Sequence, residues 1–231
     1  MTAPPTVAAF DLDGTLTEGG SVFKWLTAIA GLRTTYGAAG RLAVPLAVGG
    51  LLSGLAADRA KERLFRALLH DRDLEAVQSA SRDFVREHLA RHSRELSVQR
   101  LRWHQSQGHE VVIVSASPEI YVRVVAEHLG VQGALGTRLA VAPSGRLEGG
   151  YDGHNCRGEE KMRRLRAWIE ERHDSIPVEV WAYGNSRGDR RLLDFAQRPY
   201  NVGRLGRWGA LRAFPSLNSP DPTDESRGPV R

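Results

Sequence analysis

The chain has a single cysteine, Cys156, so it can close no internal disulfide and has no second thiol for a cysteine-based zinc site. A lone thiol fits a reducing compartment. Lysine is scarce: only Lys24, Lys61 and Lys161 occur, and arginine carries nearly all the positive charge. Aromatic residues are 7% of the chain, and no basic stretch is interleaved with them as stacked bases require, so no nucleic-acid partner is expected. The longest uncharged stretch, Leu42 to Ala57, is shorter than the roughly 18–20 residues that cross a bilayer. Pro45, Gly49, Gly50 and Gly54 interrupt it, which predicts a buried or half-buried helical segment; a membrane-touching surface is the alternative. The opening residues, Met-Thr-Ala-Pro-Pro-Thr, lack the charged region and apolar core of a signal peptide, so the expected compartment is cytoplasmic.

What is present is ordinary for a globular protein. The chain has 231 residues, 41% hydrophobic and 26% charged, enough for one large domain or a domain carrying an insertion. The net charge of +5 could suit an anionic partner, but the basic residues alternate with acidic ones, as in Arg82-Asp83 and from Glu159 to Arg164. Most of them therefore read as solvated helix faces.

Val7 to Phe10 is a short apolar run that stops at Asp11, as a buried parallel strand does. Glu110–Val114, ending at Ser115, and Val178–Tyr183, ending at Gly184, have the same character, and Pro199–Val202 reads as a shorter last strand. Helical spacing separates them: Tyr121, Val124, Val125 and His128 on one face, with Ser117 as cap and Gly130 past the end, then Met162, Leu165, Trp168 and Ile169. Strand alternating with helix predicts a doubly wound parallel α/β sheet, Rossmann-like. The long interval after the first strand is itself helical: Val22, Trp25, Leu26 and Ile29 after Ser21, then Arg59–Leu69 after Asp58 as cap, then Asp73–His92. These spacings predict a core over residues 1–17 and 96–205 and a helical insertion over 18–95, Leu96–Gln107 being the helix that returns to the sheet. Residues 133–151 read as a β-hairpin or loop. A tail over 206–231 is expected to fray, its start pinned by Trp208, Leu211 and Phe214.

Asp11-Leu12-Asp13-Gly14-Thr15 is the strongest chemical signal. Two carboxylates one residue apart at the end of a buried strand are costly unless something binds them, and open α/β sheets bind ligands at the carboxyl ends of their strands. Magnesium suits oxygen ligands and phosphate substrates. Asp11 can attack phosphorus, and Asp13 can protonate the leaving oxygen and then activate water. Gly14 permits the turn that brings backbone amides near phosphoryl oxygens. Read alone, the segment is also an Asp-Gly turn with an incidental second aspartate. Ser115, before the Pro118 helix start, offers a hydroxyl and free amides to a phosphoryl oxygen, although Ser-Ala-Ser-Pro is also a routine helix start. Lys161 is either a phosphate-binding ammonium or a solvated lysine in a charged helix. Asn185 and Asp189, in a glycine-rich loop after the third strand, supply oxygens at the same sheet edge.

These motifs, in this order, resemble the haloacid dehalogenase superfamily, in particular its phosphoserine-phosphatase-like branch, which carries a helical cap after the first strand. Within that branch the resemblance extends to bacterial hydrolases that include histidinol-phosphate phosphatases. The matching stretches are Phe10–Thr17, Val114–Pro118, Asn155–Lys161 and Gly184–Asp189, and the resemblance spans roughly residues 5 to 205. It implies Asp11 as nucleophile and Asp13 as acid and base. It implies Ser115, Ala116, Gly14 and Lys161 as the phosphate-binding set, and Asp11, the Asp13 carbonyl, Asp189 and Asn185 around Mg2+. Asn185 departs from the superfamily, which usually has aspartate there; the amide keeps an oxygen but removes a charge. The expected function is magnesium-dependent hydrolysis of a small phosphorylated metabolite, such as phosphoserine, histidinol phosphate or a sugar phosphate. Two other readings stand beside it: a phosphatase of phospholipid head groups, suggested by Leu42–Ala57, and a non-catalytic binding protein of the same fold, suggested by Asn185.

Overall fold

A computed structural model describes residues 4–41, 54–174, 176–203 and 209–217. The uncharged stretch from Leu42 to residue 53, Trp208, and the tail from residue 218 onward lie outside the described residues.

Five strands form one parallel sheet in the order β3-β2-β1-β6-β7: β1 (Thr6–Phe10), β2 (Glu110–Pro118), β3 (Gly133–Thr137), β6 (Glu179–Gly184) and β7 (Arg198–Asn201). β1 is central, pairing Phe10 with Ile113 on one side and with Tyr183 on the other. Its apolar run has no polar alternation because both faces are buried. Ala8 and Phe10 join the core on one face, with Val111, Ile113 and Tyr183, whereas Val7 and Ala9 join the core on the other, with Val112, Val114 and Ala182. Side chains alternate across a strand, so four consecutive apolar residues serve both layers.

Between β1 and β2 every described element is helical: α1 (Val22–Ala30), α2 (32–41), α3 (Gly54–Leu69), α4 (Leu74–His92) and α5 (Glu95–Ser106). α6 (Glu119–Leu129) follows β2, α7 (Glu159–His173) precedes β6, and a short 3-10 turn (Arg187–Asp189) leads into α8 (Arg190–Phe195). Trp25 of α1 is buried, stacks on Tyr121 of α6 at 5.6 Å and donates its indole N–H to Ser81 of α4 at 2.8 Å, fixing the helical layer against the sheet.

Several details differ from the sequence reading. α3 begins at Gly54, ahead of Asp58, which sits within the helix and accepts from Asn155 Nδ2 at 2.7 Å. β2 continues through Ser115 to Pro118, so Pro118, not Ser117, precedes α6. His128 is exposed, and Leu129 takes the buried place on that face before Gly130 ends the helix in the left-handed conformation. Residues 133–151 are not one hairpin: Gly133–Thr137 is an edge strand of the main sheet, and only β4 (Leu139–Val141) and β5 (Leu147–Tyr151) pair antiparallel. Gly133 and Gly136 disguise that strand, and crowding explains them. A Cβ on Gly136 would lie 2.4 Å from Glu119 Cα. The start of the tail is held: Leu211 and Leu217 are buried, and Ser216 forms a bridge with Asn201 beside β7.

β5 lies against α3 at Gly149, whose φ is +76° and whose added Cβ would stand 2.6 Å from Arg66 Cα. Gly153 has φ +88° and open space around it. Gly153→Ala is therefore expected to cost about 1 kcal/mol through backbone conformation alone, and Gly149→Ala about 1–3 kcal/mol more through displacement of α3. Urea denaturation of the two variants checks this; equal losses would show that β5 and α3 separate freely.

Candidate active site

β1 ends at Phe10, and Asp11 leaves the sheet with its N–H still bonded to Tyr183 O at 2.9 Å. The chain then turns about Leu12, whose carbonyl accepts from the N–H groups of Thr15, Leu16 and Thr17. Gly14 has φ +85°, and the Asn185 amide lies 2.0 Å from where a Cβ would stand. Conformation and space both require glycine there.

This turn brings Asp11 to Lys161. The ammonium Nζ is 2.6 Å from Asp11 Oδ1 and 2.6 Å from Asp189 Oδ1, and all three residues are buried, Lys161 being 2% exposed. Thr15 Oγ1 donates to the other Asp11 oxygen at 3.0 Å. Lys161 is the third residue of α7, whose start is tied to the 3-10 turn by Gly158 N donating to Gly188 O at 2.9 Å. The second Asp189 oxygen accepts from Asn185 N–H at 3.2 Å, Ser186 N–H at 2.9 Å and Ser186 Oγ at 2.8 Å. Asp189 thus holds both the lysine and the loop that carries Asn185.

Two carboxylates share one ammonium away from water. Burial pushes the Asp11 carboxyl up, and Asp189 beside it adds to this; Lys161 pulls the other way, leaving Asp11 at about 7. Burial also opposes the charge of Asp189, but Lys161 and Ser186 outweigh it and hold that carboxyl below its ordinary range. Burial would discharge Lys161, yet Asp11 and Asp189 more than offset this and keep it charged.

Asp13 has different partners. One oxygen accepts from Ser21 N–H at 2.6 Å and Ser21 Oγ at 2.5 Å, the other from Ser117 Oγ at 2.5 Å. Both serines stand beside helix starts and had the spacing of N-caps, but neither gives its hydroxyl to its helix. A carboxylate is the stronger acceptor, since charge-assisted bonds are about twice as strong as neutral ones. Ser115 is buried in β2, where its Oγ accepts from Ser117 N–H at 3.1 Å. The Ala116 carbonyl accepts from Lys61 Nζ at 2.6 Å and lies 2.7 Å from Thr137 Oγ1. Burial lowers Lys61 to about 8, against the attraction of Asp58 and Asp13. Of the other insertion residues considered, Arg59 is exposed and Lys24 lies beside His92.

The structure therefore gathers Asp11, Lys161 and Asp189 into one buried triad, with Asp13, Gly14, Ser115 and Asn185 around the same strand ends. Thr15, Ser21, Ser117 and Arg94 escaped the sequence reading as site residues. Thr15 was visible within the first motif, Ser117 was legible only as a cap, and Ser21 only as the residue before a helix. Arg94, which donates to Gly14 O at 2.5 Å and Val202 O at 2.7 Å, had no sequence signal. A cleft of about 630 Å³ opens on the turn, lined by Gly14, Glu18, His92, Arg94, Asn185 and Leu211 among others.

Oxygen donors for a cation are present. Asn185 Oδ1 is buried without a hydrogen-bond partner among the described residues. The triad has more negative than positive charge, and Asp11 belongs to the turn whose Gly14 touches the Asn185 amide. Among the described residues no group of three or more histidine, cysteine, aspartate or glutamate side chains is placed to hold a metal ion. A cation here would draw on amide and backbone oxygens as well as carboxylate, which is the chemistry of a hard cation such as magnesium.

Comparison with known proteins shows the family of the chain. The family model for haloacid dehalogenase-like hydrolases matches residues 8–194. Protein CicA of Caulobacter vibrioides is 32% identical over 205 residues, covering 87% of each chain. A histidinol-phosphatase of Neisseria meningitidis serogroup C is 26% identical over 149 residues, covering 62% of this chain and 67% of its own. Among solved structures, a Bordetella pertussis Tohama I protein of unknown function superposes with a TM-score of 0.72 at 24% identity, over 86% of this chain and 90% of the other. A substrate-bound phosphoserine phosphatase superposes with a TM-score of 0.59 at 19% identity, over 88% and 90%. Asp11, Asp13, Lys161 and Asp189 thus all lie within a matched span that covers most of the chain, which belongs to the haloacid dehalogenase-like hydrolases.

Proposed function

We propose that the chain is a magnesium-dependent phosphomonoesterase that hydrolyses a small phosphorylated metabolite in the cytoplasm through an aspartyl-phosphate on Asp11. The observation that carries this reading is the Lys161 ammonium at 2.6 Å from both Asp11 and Asp189. It holds the nucleophile's carboxylate in place and puts positive charge where a phosphoryl oxygen would arrive. The Neisseria relative named as a histidinol-phosphatase supports the phosphatase reading.

In the proposed reaction Asp11 Oδ attacks phosphorus while Asp13 gives its proton to the departing oxygen. Asp13 then takes a proton from the water that attacks the phosphorus of the aspartyl-phosphate, releasing inorganic phosphate and restoring Asp11. Ser21 and Ser117 orient Asp13 for both steps. Gly14, Ser115 and Ala116 form the wall against the phosphoryl group, and Lys161 offsets its charge. Magnesium, held by Asp11, the Asp13 carbonyl and Asn185 Oδ1 with Asp189 behind them, would neutralise charge on the transferring group. The helices over 18–95 serve as the cap, with Lys61 reaching Ala116 O across the boundary. The lipid reading rests on Leu42–Ala57 and the basic, Trp-bearing tail, of which residues 42–53, Trp208 and residues from 218 onward lie outside the described part of the chain, and no helix among the described residues is long and apolar enough to cross a membrane.

Asp11→Asn is expected to lower magnesium-dependent hydrolysis of an aryl phosphate by about 10³-fold or more; a wild type equally inactive with magnesium would favour a non-catalytic protein instead. Lys161→Met leaves two buried carboxylates uncompensated, and urea denaturation should show a loss of about 3 kcal/mol. Unchanged stability would remove the ion triad from the account. Because Asp11 in the fold stands at about 7 against an ordinary 3.8, its contribution to stability is complete below the lower value and is lost as pH rises through the upper one. Asp189, held low, contributes in the other direction, losing its share only as the pH falls below the ordinary carboxylate range. Magnesium competes with the Asp11 proton, so it should raise the melting temperature more at about pH 8 than at about pH 5.5. Equal shifts at the two values would contradict Asp11 as a ligand.

A further inference from the structure

β2 loses its regular pairing where it meets the site. Its ladder with β3 pairs Val114 with Leu135 and next Pro118 with Thr137, so Ser115, Ala116 and Ser117 bulge between them. A bulge frees backbone groups from the ladder, and beside active sites it commonly re-aims side chains. Here the group that directs the backbone comes from the insertion. Lys61 of α3 donates from Nζ to the Ala116 carbonyl at 2.6 Å and to Asn155 Oδ1 at 3.4 Å. Asp58, one turn earlier on α3, accepts from Nδ2 of the same Asn155 at 2.7 Å. The two residues thus seat α3 on the bulge and on the segment that leads into α7 and Lys161.

The Ala116 carbonyl and the Ser117 N–H belong to one planar trans peptide group and point opposite ways. Fixing the carbonyl on Lys61 therefore aims the Ser117 N–H, which donates to Ser115 Oγ at 3.1 Å. That bond takes a lone pair of Ser115 and leaves its O–H to donate. Ser117 also gives its own hydroxyl to Asp13 at 2.5 Å. A cation on the carbonyl polarises the peptide and strengthens its N–H as a donor. Thr137 Oγ1 lies 2.7 Å from the same carbonyl, but it is uncharged and its one proton is shared with Asn155 Oδ1 at 2.9 Å. The titratable and charged groups that act on Lys61 are Asp58 on its own helix, Asp13 after β1, and Arg157 and Cys156 ahead of α7. Burial lowers the ammonium to about 8 against the pull of the two aspartates, so the cation is present at neutral pH and lost above that value.

We propose that Lys61 is a positioning residue for the reaction at Asp11. As an ammonium on the Ala116 carbonyl it sets the Ser115 hydroxyl toward the phosphoryl group and Ser117 on Asp13, so the site is complete only with α3 seated on β2. The proposal rests on the phosphatase reading above. Lys61 acts through the bulge and needs no contact with the substrate. A tether without chemical consequence would leave the pH dependence of the reaction unchanged when replaced.

Turnover and binding together test it. Wild type, Lys61→Gln and Lys61→Arg, each full length and with magnesium, are assayed on ethyl phosphate and titrated calorimetrically with inorganic phosphate across a range of pH. Since kcat/KM follows the free enzyme, in the wild type it is expected to fall about tenfold per pH unit above about 8. Glutamine keeps a donor without the charge, and Thr137 remains beside the Ala116 carbonyl, so this variant reads the loss of the cation. At about pH 7 it should lose about tenfold or more in kcat/KM and in phosphate affinity, with no fall near pH 8. Arginine stays charged, so the activity of Lys61→Arg should run level through the same range. Unchanged kcat/KM in Lys61→Gln, or an alkaline fall that persists in Lys61→Arg, overturns the proposal. Should Lys61→Gln fail to fold, the arginine profile decides alone. Phosphate binding that depends on Lys61, without turnover of the ester, would retain the positioning role and remove the phosphatase reading; turnover independent of Lys61 would do the reverse.

Discussion

The Lys161 ammonium lies 2.6 Å from Asp11 and from Asp189, all three side chains nearly closed to water, and it joins segments far apart in sequence. Asp11 comes from the end of β1, Lys161 from the first turn of α7 and Asp189 from the turn after β6. Burying charges costs several kcal/mol each unless partners compensate them, so none of the three segments can be withdrawn without stranding the other two. A compact ammonium meets both carboxylates from one point, whereas a forked guanidinium would spread its donors along a plane. That difference accounts for a lysine at this position in a chain that otherwise uses arginine.

Around this triad the sheet sets the spacing and small polar residues set the orientation. Parallel pairing of β1 with β2 and β6 brings three strand ends together at one edge. Asp11 and Asp13, on a turn that Gly14 makes possible, then meet different partners, one the lysine and the other Ser21 and Ser117. The two carboxylates consequently have different surroundings: one shares an ammonium with a second acid, and the other accepts three hydrogen bonds from uncharged donors. A nucleophile and a proton carrier require such a separation of roles from chemically identical groups. Asp189 stands behind both, its oxygens committed to Lys161 and the Asn185 loop, so it positions groups rather than presenting itself.

The parallel sheet and its helical insertion were legible because Val7–Phe10 and its counterparts are apolar without alternation, as strands buried on both faces must be. The aspartate pair and the loop after β6 stood out because they end apolar runs, and Lys161 because lysine is scarce, although the pair also reads as a turn and the lysine as a solvated helix residue. β3 was hidden because Gly133 and Gly136 were selected by close packing against Val112 and Glu119, not by strand propensity. Ser117 was mistaken for a helix cap, and Ser21 passed as the residue before a helix, because a hydroxyl beside a helix start has the same local sequence whether it bonds to backbone or to Asp13. Arg94 and the contact of Lys61 with Ala116 depend on tertiary distance alone. Conservative local spacing carries no trace of them.

The central claim is that Asp11, held by Lys161, carries the phosphoryl group between the two half-reactions. Acid quenching of the wild type during turnover of an aryl phosphate with magnesium, followed by peptide mass mapping, tests it most directly. The account predicts a phosphoryl group on the peptide containing Asp11, absent when magnesium is withheld. Steady hydrolysis with no phosphorylated peptide, or with the phosphoryl group on another residue, would contradict it.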